Sequence, residues 1–353
     1  MQNRTRLIAF YLPQFHPIPE NDKWWGRGFT EWTNVVKARP LFRGHYQPHI
    51  PADLGFYDLR VPEVREAQAE MARAYGIEGF CYYHYWFAGR RLLERPFNEV
   101  LRSKKPDFPF CLCWANESWS GIWHGVPDRI LIKQTYPGPE DEIAHFRFLL
   151  KAFTDTRYIK VDGKPLFIVY KPNFLPESKR TTEHWRKLAK DEGLDDLFLV
   201  GIANEPWDPA SNGFNGALVT NHGNATKHLD RQKHYLVQLK RKLLGQPGDI
   251  YDYKRVIKYF YMAECSKENT FPCMIPNWDN TPRSGRRGVV FHNSSPELFQ
   301  KHAQMLVEQV QHKPIEKRLV FIKSWNEWAE GNHLEPDIRY GYAYLDALSN
   351  AIR

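Results

Sequence analysis

Eight short apolar runs, separated along the chain by stretches of helical periodicity, constrain this sequence more than any other feature. The runs fall at residues 7–15, 79–86, 108–114, 165–170, 197–203, 216–221, 271–276 and 319–323. Amphipathic stretches at 64–75, 97–103, 140–153, 182–192 and 296–311 lie between them. Pro139 opens one of these helices, Gly193 closes another, and Ser294-Ser295 precedes a third, which are the residue types that helix ends favour. Runs apolar on both faces suit strands covered on both sides, as in parallel sheets. The alternation predicts an α/β fold, a single-domain (β/α)8 TIM barrel with elaborated βα loops across residues 1–353. It leaves a long loop at about 16–60 and a basic, helical insertion at about 227–264. An open doubly wound sheet is the competing architecture. However, no Gly-x-Gly-x-x-Gly or Walker-type loop follows any run, so a nucleotide would lack its phosphate cradle.

Composition narrows the function classes. With 25% charged and 42% hydrophobic residues the chain can bury a sizeable core. Twelve tryptophans exceed what a core needs, because indole is hard to bury fully, and suggest a cleft with flat walls. Sugars and nucleobases both stack on such walls. The net charge of +8 is scattered, densest around residues 227–258, and carries no nucleic-acid signature, so no nucleic-acid partner is expected. The five cysteines (Cys81, Cys111, Cys113, Cys265, Cys273) are an odd count in apolar surroundings and read as small buried thiols. Neither a membrane-spanning run nor a signal sequence is evident, which points to a cytoplasmic location. His45 and His49 are poor metal ligands because Pro48 opposes the helix that would align them, so no metal is expected, and no cofactor.

Barrel enzymes build their sites from the loops after the strands. Each of the eight ends here carries aromatic or polar side chains: Gln14-Phe15-His16, Tyr83-His84-Tyr85-Trp86, Trp114-Ala115-Asn116-Glu117, Tyr170-Lys171, Asn204-Glu205, Asn221-His222, Asn277-Trp278-Asp279 and Trp325-Asn326-Glu327. The last continues as Trp328-Ala329-Glu330-Gly331. Two carboxylates three residues apart often mean only a solvated helix face. At a strand end among tryptophans, they match the acid and the second carboxylate of glycosidic-bond chemistry. Glu327 and Glu330 are therefore the expected catalytic residues. The expected substrate contacts are Tyr11, His16, Trp25, Glu31, Trp32, His84, Trp86, Trp114, Asn116, Glu117, Trp278, Trp325 and Asn326. Glu31 has a second reading as the partner of an arginine such as Arg27 or Arg39. Asp279 is a further carboxylate, although Asn280 and Pro282 beside it suggest a turn.

Three segments carry a family resemblance: Phe10-Tyr11-Leu12-Pro13-Gln14-Phe15-His16, Gly28-Phe29-Thr30-Glu31-Trp32-Thr33-Asn34 and Trp325-Asn326-Glu327-Trp328-Ala329-Glu330-Gly331. Together they resemble the WbsX family, whose members are labelled glycosyltransferases or lipopolysaccharide-biosynthesis proteins. More distantly, the chain is similar to the family 99 endo-α-mannosidases, which are barrels with a Glu-Trp-His-Glu-like pair after the last strand. Ala329 departs from that pattern, where histidine is usual. The resemblance implies Glu327 as base, Glu330 as general acid and Tyr11 as a sugar contact. It also implies a retaining reaction through a 1,2-anhydro sugar, as an α-mannoside or α-rhamnoside of a bacterial polysaccharide would allow. A glycosyltransferase and a non-catalytic glycan-binding barrel are the alternatives. An oligosaccharide or polysaccharide is the expected partner, and the oligomeric state is left open.

Overall fold

Every expected strand run contains a strand, and the eight pair in parallel around a closed ring. In this computed structural model, which describes residues 5–121, 126–203, 207–230, 239, 241–247 and 249–353, they are β1 (Arg6–Tyr11), β2 (Gly79–Phe87), β3 (Phe110–Trp114), β4 (Lys164–Val169), β5 (Phe198–Ala203), β6 (Gly216–Val219), β7 (Thr270–Met274) and β8 (Leu319–Ile322). Closure is made by β1, which pairs with β2 (Phe10 opposite Cys81) and with β8 (Ile8 opposite Phe321). The open-sheet alternative is thereby excluded.

Helices cover the outside of this ring. They include α3 (Pro62–Ala74), α4 (Arg95–Ser103), α5 (Pro139–Phe153), α6 (Ser178–Asp191), α9 (Pro296–Val310) and α10 (Ala343–Ala351). Their ends follow the sequence signals: proline opens α5, Gly193 at φ +81° follows α6, and the Ser295 hydroxyl accepts from the Leu298 N–H at the start of α9. One continuous core joins strands to helices. Within it Cys81, Cys111 and Cys113 are buried free thiols, as are Cys265 and Cys273.

Two expectations about the loops are corrected. The 16–60 segment holds two short helices, α1 (Pro19–Trp25) and α2 (Glu31–Lys37), and β1 stops at Tyr11, four residues before the apolar run ends. Beyond it, Phe15 packs on Trp32 and Tyr57 instead of continuing the sheet. Part of the expected basic insertion (231–238, 240 and 248) lies outside the described residues, and its described part is not helical throughout. After α7 (His222–Asp230), the extended segment Asp249–Asp252 pairs in parallel with Val289–His292, because Tyr251 and Phe291 bury together there. A further one-turn helix, α8 (Thr281–Ser284), sits between the two segments of that pair in the chain. Among the described residues, no helix is long and apolar enough to cross a membrane.

Candidate active site

Side chains alternate across a strand, so one residue in two looks into the barrel. On β2 the inward set is Cys81, Tyr83 and Tyr85; the latter two line an open cleft at the strands' carboxyl ends, of about 1100 Å³ with the solvent at its mouth. Leu12 after β1, Ala115 and Glu117 after β3, Tyr170 after β4 and Lys323 after β8 reach the same cleft. Trp25, Trp119 and Trp278 supply its indole walls, with Trp119 edge-on to Tyr85.

Both carboxyls of the Glu-x-x-Glu segment open into this cleft, although the residues are buried. The segment cannot run on as sheet. Asn326 turns back, its side chain accepting from the Leu12 N–H (2.7 Å) and donating to the Leu12 carbonyl (3.1 Å). Asn326–Glu327 then pairs with Asn332–His333 as a small hairpin, and Gly331 adopts φ +53° between them. The Ser324 hydroxyl accepts from the Glu327 N–H at 2.9 Å, and Glu330 is held by its carbonyl, which accepts from the Asp279 N–H at 2.6 Å.

The electrostatics separate the two acids. Burial pushes both upward. At Glu327 this is outweighed by the Lys323 ammonium, 3.4 Å from Oε2, and then by the Arg283 guanidinium, so its carboxyl is held below the usual carboxylate range. At Glu330 burial and the charge of Glu327 prevail over Arg283 and Lys323, and its carboxyl is pushed up to about 7. One group is thus a carboxylate while the other keeps its proton up to about pH 7. Lys323 also lies 5.5 Å from the Trp278 ring centre, and Trp278 stacks on His222, whose imidazole burial pushes down to about 3.

Of the thirteen expected substrate contacts, the structure brings Trp25, Glu31, Glu117 and Trp278 to the cleft with Glu327 and Glu330. Glu31 is paired with Arg283 (Nε to Oε1, 2.7 Å) and not with Arg27 or Arg39. Glu117 lies 3.9 Å from the Lys171 ammonium. The other nine do not line it, and the period of two explains most of them. Tyr11 points outward and donates to Gln68 on α3 (2.6 Å). His84 and Trp86 occupy the outer face of β2, against His145 of α5. Trp114 faces His145 and Trp185 behind β3, and Trp325 packs on Phe80. Asn326 is spent on the backbone of β1, as above. Asn116 is spent on the Lys171 backbone, donating to its carbonyl and accepting from its N–H. His16 bonds the Pro13 carbonyl, and the Trp32 indole donates to the Tyr57 carbonyl while packing on Trp328. Asp279 is a turn residue, accepting from His45, Gln47 and Thr281. Asn204 and Glu205 lie outside the described residues.

Sequence reading missed Arg283 and Lys323. Lys323 had a signal, since a lone lysine that ends a buried apolar strand immediately before the Glu-x-x-Glu segment must find an anion. Arg283 had none, as it comes to Glu330 from a different loop. His49, His333 and Asp337 place three potential ligand atoms within 4.8 Å of one another, but the imidazoles bond each other (2.9 Å) and Asp337 accepts from the Arg339 and Tyr340 N–H groups.

Comparison with known proteins agrees with this frame. Two relatives, both described as uncharacterized protein WxcX, come from two strains of Xanthomonas campestris pv. campestris; each is 41% identical over 98% of this chain. The chain spans about half (49%) of the length of these curated relatives. Among solved structures, the GH99 endo-alpha-mannosidase from Bacteroides thetaiotaomicron superposes with a TM-score of 0.58 at 14% identity, covering 98% of this chain and 95% of that one. A structure described as a glycoside hydrolase-like protein gives 0.60 at 15% identity, covering 99% and 94%. At such identities the likeness shows the barrel fold. The profile of the family described as Glycosyltransferase WbsX matches residues 7–348, nearly the full chain, and the protein belongs to that family.

Proposed function

We infer that this protein is a retaining glycoside hydrolase, cleaving α-mannoside- or α-rhamnoside-type linkages of a bacterial polysaccharide. The observation that carries the reading is the buried pair Glu327 and Glu330, set at one strand end with opposite proton affinities. Aromatic walls on several sides of that pair give a pyranose ring faces to lie against. Glu327, as carboxylate, takes the proton of the sugar's 2-hydroxyl, and the oxygen attacks C1. The C1–O bond to the leaving group breaks, and that oxygen receives the proton of Glu330. Glu330, now a carboxylate, takes a proton from water as the water opens the 1,2-anhydro ring at C1. The epoxide oxygen recovers the proton from Glu327, so both residues end as they began. No protein carboxylate bonds to carbon, so the usual carboxyl-separation rule does not govern the outcome.

A glycosyltransferase of lipopolysaccharide, O-antigen or capsule biosynthesis is the second reading, favoured by the description of the family. To separate them, the protein is incubated with α-mannosyl and α-rhamnosyl oligosaccharides and, in parallel, with nucleotide sugars plus acceptor. Hydrolysis that falls about 10²–10⁴-fold in Glu330→Gln supports the first reading. Transfer from a nucleotide sugar without hydrolysis would replace it with the second. Glycan binding without turnover, equal in wild type and variant, would leave a binding protein.

A further inference from the structure

Resting on the acid role given to Glu330, we propose that Glu31 is the positioning residue of that acid and acts on it through Arg283. The guanidinium is shared. Its Nε donates to Glu31 at 2.7 Å and its Nη1 to Glu330 at 2.6 Å, and all three side chains are largely withdrawn from solvent (12% exposed for Arg283, 1% for Glu31, 6% for Glu330). Three separate pieces of chain meet there: Glu31 opens α2, Arg283 lies in α8, and Glu330 lies in the turn after β8.

Glu31 is the fixed end of this relay. Its N–H donates to the Gln14 carbonyl at 3.0 Å, and the Thr30 and Thr33 side chains close a capping box at the start of α2. One cation between two carboxyl groups can be balanced by one of them, which leaves the other free to hold a proton. With Glu31 as the balancing anion, Arg283 orients Glu330 without forcing it to ionise. Were Glu31 uncharged, the guanidinium would be shared only by Glu330 and the field of Glu327, and would favour the Glu330 carboxylate more strongly.

The remaining groups facing Glu330 do not substitute for Glu31. From β8 and its turn come Lys323 and Glu327, which already pair with each other. From the end of β4 comes Tyr170, whose phenol burial pushes up. Asp279 contributes its backbone N–H, its carboxylate being occupied by His45, Gln47 and Thr281.

The test is an infrared titration of protonated carboxyl groups in wild type, Glu31→Gln, Glu31→Asp and Glu330→Gln, run beside pH profiles of kcat/KM. The band lost in Glu330→Gln identifies the acid and separates it from Glu335, also pushed up to about 7 by burial. In Glu31→Gln that band is expected to titrate about one pH unit lower, a tenfold loss of the protonated form above its midpoint. The alkaline limb of kcat/KM should move with it, and Glu31→Asp should restore both. An unmoved band in Glu31→Gln, or an effect confined to KM, overturns the relay. The infrared arm needs no turnover. A shifted band without glycan cleavage by wild type would keep the relay and reject the hydrolase, and cleavage with an unmoved band would do the reverse.

Discussion

Lys323 shows how one side chain decides the chemistry of another. It is the nearest cation to Glu327, both are almost wholly buried, and burial alone would have made Glu327 a neutral acid like Glu330. Replacing Lys323 by methionine keeps the volume and removes the charge. The fold should lose roughly 3–5 kcal/mol, because an uncompensated carboxylate is left inside. Under the proposed mechanism, the acid limb of kcat/KM should also move toward neutral pH. Urea denaturation and a pH–rate profile read the two effects, and an unmoved acid limb would remove Lys323 from the account. On the proposed mechanism, wild-type activity needs Glu327 ionised and Glu330 protonated. It is therefore expected from below the usual carboxylate range up to about pH 7, and to decline as Glu330 loses its proton. An activity that keeps rising through pH 8 would contradict the assignment.

At the scale of elements, the turn after β8 is held by a contact that the motif alone does not disclose. Gly331 sits at φ +53°, and a Cβ there would come within 2.9 Å of the Asp279 Cβ and 3.1 Å of its nitrogen. That nitrogen carries the N–H bonded to the Glu330 carbonyl. Gly331→Ala should therefore cost about 1–3 kcal/mol through backbone strain and overpacking, and displace Glu330 from its place beside Arg283. Chemical denaturation together with a pH–rate profile would detect both, whereas wild-type stability and rate in the variant would show that the turn has slack. The strand ends teach the complementary lesson. Reading every residue of Tyr83-His84-Tyr85-Trp86 as a mouth residue was too generous, since alternation sends Tyr83 and Tyr85 into the cleft and His84 and Trp86 into the helix layer.

At the scale of the molecule, eight histidines among the described residues are held below their usual range, chiefly by burial: His16, His49, His84, His145, His222, His292, His302 and His333. Unfolded, each takes up a proton near pH 6.5; folded, those with resolved values wait until about pH 3–4. Their contribution is complete above pH 6.5 and is lost as the pH falls toward 4, since the unfolded chain then binds more protons. Glu330 and Glu335 act in the opposite sense, because the folded chain keeps protons there up to about pH 7. Glu117 and Asp141, whose carboxyls burial also raises, act with them, and eight groups against four decide the sign. The urea midpoint should be lower at pH 5 than at pH 7, and a midpoint that is equal or higher at pH 5 would refute this account.

The barrel was legible in the chain alone, because apolar runs and helical periodicity are local properties, and so was the place of the Glu327–Glu330 segment at the end of the eighth strand. The chain also placed Trp25, Glu31, Glu117 and Trp278 among the cleft candidates. Which flank of each strand end faces the cleft emerged from the folded molecule, since a one-residue difference in where a strand stops reverses inside and outside. Folding alone brought Arg283 to Glu330 and Glu31, 47 and 252 residues away from it in the chain. Charge pairing across such separations follows from how the loops pack over the barrel mouth, and no local pattern in the chain encodes it.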